Sequence, residues 1–149
     1  MIALMITGLN HVTFAVRDLD ESFDFYCSVL GLRPVFRWSE GVYLLAGDFW
    51  IALIEDSERR PGPLPDYSHV AFSVQASNFE GMSQKIRTSG ATIWQKNTSE
   101  GDSLYFLDPN GHKLEIHSSD LVSRLRHKQA HYSADMQFFG AGPEGGSNA

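Results

Sequence analysis

Two short runs set the pattern of this chain: Asn10-His-Val-Thr-Phe-Ala-Val16 and Ser68-His-Val-Ala-Phe-Ser-Val74. In each, Val, Phe and Val alternate with a histidine and small residues. That period of two sends the apolar set to one face of a strand and the histidine to the other. His11 and His69 therefore occupy equivalent places. The continuations also match. Asp18-Leu-Asp-Glu21 and Ser77-Asn-Phe-Glu80 read as capping boxes that open helices ending near Gly31 and Gly90. Phe23, Tyr26 and Leu30 line the first helix; Phe79, Met82 and Ile86 line the second. Short strands follow at 32–37, 42–45 and 50–54, and again at 92–94, 104–107 and 112–117. Glu40-Gly41, Ala46-Gly47 and Asp108-Pro-Asn-Gly111 supply the turns between them. The order βαβββ thus occurs twice, over about 8–56 and 66–118. It predicts an α+β fold: a single domain over 1–139 made of two βαβββ modules and a C-terminal helix.

Composition narrows the class. A chain of 149 residues with 42% hydrophobic content can bury a core, while a net charge of −6 offers no broad positive field for nucleic acid or anionic membrane. An anionic ligand must be caught by a local cluster. The one cysteine, Cys27, excludes an internal disulfide and multi-thiolate zinc patterns and is compatible with a cytoplasmic setting. Inside the first helix it reads as an inert thiol. The opening MIALMIT lacks the layout of a signal peptide or membrane span, and Met5 is an alternative start. The segment 140–149, GAGPEGGSNA, is expected to be a disordered tail.

The second module adds a carboxylate. In His112-Lys-Leu-Glu-Ile-His117, Leu114 and Ile116 share one strand face and Lys113, Glu115 and His117 the other. His11, His69 and Glu115 form the ligand set of a metal that keeps positions open for substrate. Aligning Gly47 with Gly111 sets Ile51 opposite Glu115, so the first module brings no carboxylate and the protein ligands number three. An octahedral ion such as Mn²⁺ would have room for two substrate oxygens, although Zn²⁺, Fe²⁺, Ni²⁺ and Co²⁺ suit the same donors. His112, His117, His127 and His131 read as structural or surface groups.

The segments GLNHVTFAV, DYSHVAF, NTSEGDSLYFLDPNGHKLEIH and DLVSRL together resemble the FosA-type fosfomycin resistance proteins. These are manganese-dependent glutathione transferases of the vicinal oxygen chelate, or glyoxalase/bleomycin resistance, superfamily. The likeness runs from about Gly8 to Tyr132. It implies a domain-exchanged homodimer in which His11 of one chain joins His69 and Glu115 of the other. It also implies addition of glutathione to the fosfomycin epoxide at one Mn²⁺ per site. Thr13, Tyr67, Ser99, Ser103, Tyr105 and Arg124 would bind the phosphonate, and Trp50 would wall the pocket. Tyr43 would help deprotonate the thiol. A potassium ion would lie in the loop among Asn97, Ser99, Glu100, Gly101 and Ser103.

Three positions depart from that pattern. The lysine usual two residues before the loop asparagine is Gln95, with Lys96 next to it as a candidate phosphonate partner, and the arginine usual before Ser99 is Thr98. Glu40 stands where related epoxide hydrolases carry a general base. Two alternatives follow: a thiol-independent fosfomycin hydrolase using Glu40, and a drug-binding protein of the same fold without chemistry. An iron-dependent extradiol dioxygenase would use the same ligand set but does not suit the polar donor cluster.

Overall fold

A computed structural model describes residues 5–140. The first module runs β1 (His11–Val16), α1 (Leu19–Asp24) continuing as a π-helical turn (Phe25–Val29), β2 (Arg33–Trp38), β3 (Gly41–Ala46) and β4 (Phe49–Glu55). The second runs β5 (Val70–Ser73), α2 (Ala76–Thr88), β6 (Ile93–Gln95), β7 (Ser103–Leu107) and β8 (Lys113–His117), and α3 (Leu121–Ala130) follows. Each module makes one four-stranded sheet, ordered β1-β4-β3-β2 and β5-β8-β7-β6, with β1 parallel to β4 and β5 parallel to β8. The repeat read from the two histidine strands is thus a repeat of topology. Residues 141–149, most of the expected tail, lie outside the described residues.

Strand alternation decides what each sheet buries. Phe14, Val16, Val42, Leu44, Ile51 and Leu53 of the first sheet and Leu104, Phe106, Leu114 and Ile116 of the second share one core with Tyr26 and Ile86 of the helices. The opposite faces carry His11, Thr13, Tyr43 and Trp50 in one module and Ser103, Tyr105, Glu115 and His117 in the other.

The two helices start differently. Asp18 caps α1, its side chain accepting from Glu21 N at 3.0 Å, as the sequence predicts. Ser77 does not cap α2. Val74 N is held in strand register by His117 O at 3.0 Å, so Gln75 is the last extended residue and the helix begins at Ala76, with Ser77 already inside its first turn. The π-helical turn, closed by Leu30 N donating to Phe25 O at 3.0 Å, lets consecutive Phe25 and Tyr26 both face the core.

The Asp108–Gly111 turn joins the modules. Tyr26 donates to Asp108 Oδ2 at 2.7 Å, Asn110 Nδ2 to Ser22 Oγ at 2.9 Å, and Arg17 N to Asn110 Oδ1 at 2.8 Å. His112 Nε2 donates to Ala15 O at 2.7 Å. Gly111 has φ +85°, and a Cβ there would sit 2.8 Å from Pro63 N, so only glycine lets the turn press against the linker.

The register corrects one equivalence. Val12 pairs with Ile51 and Val70 with Leu114, while Tyr43 pairs with Ala52 and Tyr105 with Glu115. The counterpart of Glu115 is therefore Ala52, and Ile51 corresponds to Leu114 in the core. The β3–β4 hairpin closes over Gly47 and Asp48 alone, whereas the β7–β8 loop spans Asp108–His112, so matching the glycines slips the strands by one residue. The first module still brings no carboxylate.

Candidate metal centre

His69 stands just before β5, and its neighbour strand β8 brings Glu115 alongside; His69 Nε2 lies 3.0 Å from Glu115 Oε2. His69 Nδ1 lies 2.8 Å from Tyr67 O, a contact that requires Nδ1–H to donate. The lone pair is then on Nε2 and faces a carboxylate oxygen. Two acceptors so close need a proton or a cation between them. The separation suits a cation: adjacent ligands on an octahedral ion with bonds of about 2.1 Å lie roughly 3.0 Å apart. Backbone anchoring of the distal imidazole nitrogen is also the usual support for a metal-binding histidine.

His11 has the same preparation on the other module. Its Nδ1 contacts Asn10 Oδ1 at 2.7 Å, which leaves Nε2 free, and its exposed ring stacks on Trp50 at 4.2 Å. Within the chain, however, it does not join His69 and Glu115. Among the described residues no three His, Cys, Asp or Glu side chains converge as a metal site. The candidate residues fall into two halves, one on each sheet.

The first half is an aromatic face. From His11 the rings continue through Trp50 to Tyr43 at 4.9 Å, Trp38 at 5.1 Å and Phe36 at 5.3 Å. Trp50 Nε1–H is buried without a partner, a state that costs about 1–3 kcal/mol. Thr13 lies beside His11 on the same strand face and is exposed. Glu40 sits exposed in the turn between β2 and β3, where its backbone carbonyl accepts from Glu55 N at 2.9 Å. Its carboxylate has no hydrogen bond among the described residues.

The second half is a polar cluster with an aromatic floor. Trp94 meets Tyr105 at 5.1 Å, His69 at 5.4 Å and Tyr67 at 5.8 Å. Glu115 is 6% exposed, so its carboxylate is held by protein groups rather than water: Ser103 Oγ donates to its Oε1 at 2.6 Å. Arg124, on α3, reaches Glu100 Oε2 at 3.3 Å, Glu100 O at 3.1 Å and Ser99 Oγ at 3.5 Å. Asp120 starts that helix by accepting from Ser123 N, which holds its carboxyl below the usual range.

The loop expected to hold potassium is folded around its own donors. Asn97 Oδ1 accepts from Ser99 N at 3.0 Å and Ser99 Oγ at 2.9 Å, and Asn97 Nδ2 donates to Gly101 O at 2.8 Å. Gly101 has φ +80°, and a Cβ on it would lie 2.7 Å from Ser119 Cβ.

Gln95 and Lys96 are placed differently. Gln95 Nε2 donates to Tyr67 Oη at 3.2 Å, so Gln95 occupies the site face, and Lys96 is exposed and without a hydrogen bond among the described residues. The irregular register between Ile93 and Gln95 turns both Trp94 and Gln95 inward and leaves Lys96 out. The ammonium on this face is that of Lys113, 5.0 Å from the Trp94 ring and donating to Asp66 O at 2.6 Å. His117 takes a structural place on this face. It contacts Ser103 Oγ at 2.7 Å and Arg124 Nη2 at 3.5 Å. Its shared parity with Glu115 along β8 was the signal in the sequence.

Residues 8–116 match the Glyoxalase/Bleomycin resistance protein/Dioxygenase superfamily, and the chain belongs to it. More particularly, it is 48% identical over 123 residues to the glutathione transferase FosA of Serratia marcescens, covering 81% of this chain and 87% of that protein. The metallothiol transferase FosB of Shouchella clausii is 34% identical over 128 residues, covering 83% and 88%. Among solved structures, the fosfomycin resistance protein FosX of Mesorhizobium loti superposes with a TM-score of 0.68 at 32% identity, covering 81% of this chain and 99% of that one. A glutamate-to-glutamine variant of FosX of Listeria monocytogenes, complexed with Mn(II) and 1S,2S-dihydroxypropylphosphonic acid, gives 0.70 at 27% identity, covering 83% and 98%.

Proposed function

We propose that this protein inactivates fosfomycin by adding glutathione to its epoxide at a divalent metal, Mn²⁺, held by His11, His69 and Glu115. The observation that carries the reading is the pair of imidazoles whose Nδ1 atoms are both anchored, one of them with its Nε2 set 3.0 Å from a buried carboxylate oxygen. Since His11 and Glu115 belong to different faces of the chain, we infer a homodimer in which the aromatic face of one copy covers the polar face of the other. The exposed His11, stacked on Trp50 with its Nε2 free, supports that pairing. The two Nε2 atoms and Glu115 Oε2 would then share one cation.

When bound, the metal would polarise the epoxide oxygen and neutralise charge as the ring opens. The chain's own residues do the rest. Arg124, steadied by Glu100, offers its planar fork to the phosphonate beside Ser99, and Thr13, Tyr67 and Tyr105 supply further donors. Trp50 closes the wall against water. Tyr43, boxed between Trp38 and Trp50, would help deprotonate the thiol by accepting a hydrogen bond from S–H while that proton leaves to solvent. The sulfur attacks the carbon opposite the breaking C–O bond, and the opened oxygen takes up a proton from solvent. The loop Asn97–Ser103 would hold K⁺ beside the phosphonate, through Asn97, Ser99, Glu100, Gly101 and Ser103. Activity in K⁺ should then exceed that in Na⁺ or tetramethylammonium at equal ionic strength. No helix of the described residues is long and apolar enough to cross a membrane. We place the reaction in the cytoplasm, where the thiol substrate stays reduced.

Product analysis by ³¹P NMR tests the chemistry. With Mn²⁺ and fosfomycin, glutathione should give the thiol adduct, and omission of thiol should stop turnover. A diol formed without thiol would instead assign the reaction to water and Glu40, and unchanged fosfomycin under all conditions would leave a binding protein. Replacing His69 or Glu115 by Ala should abolish both Mn²⁺ binding and turnover.

A further inference from the structure

Ser103 Oγ has two close neighbours, Glu115 Oε1 at 2.6 Å and His117 Nδ1 at 2.7 Å, and only one proton to give. A carboxylate oxygen can only accept, so that proton goes to Glu115 and His117 must donate through Nδ1–H. His117 Nε2 then keeps its lone pair. It faces Arg124 Nη2 at 3.5 Å, and a guanidinium can only donate. The hydrogen bonds therefore run in one direction, from Arg124 to His117 to Ser103 to Glu115. Each donor has an acceptor in one tautomer of His117 and in no other.

We propose that His117 is a positioning residue that fixes the rotamer of Glu115 through Ser103 and couples that carboxylate to the guanidinium of Arg124. This rests on the reading of Glu115 as a metal ligand. With Oε1 tied down on one side, Oε2 is the atom presented to His69 Nε2 and to a cation between them. Ligating carboxylates are themselves hydrogen-bonded in metal sites, and removal of such a partner lowers metal affinity about 10- to 100-fold. The far end of the chain of hydrogen bonds ties the same histidine to the group that would meet the anionic part of the substrate.

The test has two arms on the full chain. ¹⁵N-edited NMR of the metal-free protein should find His117 as the Nδ1–H tautomer. Detection of the Nε2–H form in the wild type would overturn the proposal. Titration with Mn²⁺, read by the EPR signal of free aquated ion, should show binding weakened about 10- to 100-fold in His117→Phe. His117→Asn keeps a side-chain N–H where Nδ1–H stands. It should restore Mn²⁺ affinity while leaving KM for fosfomycin raised, because the contact to Arg124 is gone. Wild-type Mn²⁺ affinity in both variants would defeat the proposal. Glu115→Ala separates the two levels: if it loses Mn²⁺ while the His117 variants do not, only this inference fails, and if it binds Mn²⁺ normally the metal reading itself fails.

Discussion

At the scale of the residue, Tyr26 shows how a side chain read from the sequence as core lining also joins the two modules. It is fully buried, and its phenol donates to Asp108 across the module boundary. Burial, and then the charge of Asp108, push its pKa well above the ordinary tyrosine value of 10.0. A raised pKa means that the unfolded chain loses this proton first. The contribution of Tyr26 is then fully present below about pH 10 and is lost as pH rises through the folded value. Tyr26→Phe should destabilise the fold by about 1–3 kcal/mol at neutral pH by leaving Asp108 Oδ2 unpartnered. Urea unfolding should also show less alkaline loss in the variant than in the wild type. The three metal-ligand candidates were legible because strand parity fixes their face. The tautomers of His69 and His117 were not, since they follow from backbone and hydroxyl neighbours brought in by the fold.

At the scale of the element, α3 carries Arg124, and its start depends on Asp120. The Asp120 carboxyl is held below its usual pKa by the backbone N–H of Ser123 first. A lowered pKa places the cap's contribution above the ordinary carboxylate range and removes it as pH falls through the folded value. Asp120→Ala should fray α3 and raise KM for fosfomycin, whereas Asp120→Asn keeps a capping oxygen and should restore it. Arg124→Ala should lower kcat/KM roughly 100-fold, from lost charge-assisted hydrogen bonds to the phosphonate. The periodic strands were readable to within a residue or two. Ser77 misled because a capping box is a local signal, overridden by the strand bond from Val74 to His117 O. Gly47 and Gly111 misled because two hairpins of different length can share a glycine. Gln95 and Lys96 show a similar effect: the irregularity in β6 decides which of two neighbours faces inward, and a periodic reading does not contain it.

At the scale of the whole molecule, the described residues carry two candidate half-sites that do not converge as one metal site. The aromatic face with His11 and the polar face with His69 and Glu115 are chemically complementary: one supplies walls and an imidazole, the other charge and hydrogen bonds. The repeat in the sequence announced both halves, and the proposed function joins them across two copies of the chain. Subunit complementation tests it most directly. His11→Ala and Glu115→Ala proteins should each be inactive alone and should each bind Mn²⁺ weakly. Unfolded together and refolded as an equimolar mixture, half of the dimers pair the two kinds, and each mixed dimer holds one intact site. About one quarter of wild-type activity and of tight Mn²⁺ sites should therefore return. No recovery in a mixture shown to exchange subunits would contradict the shared site, and with it the function built on it.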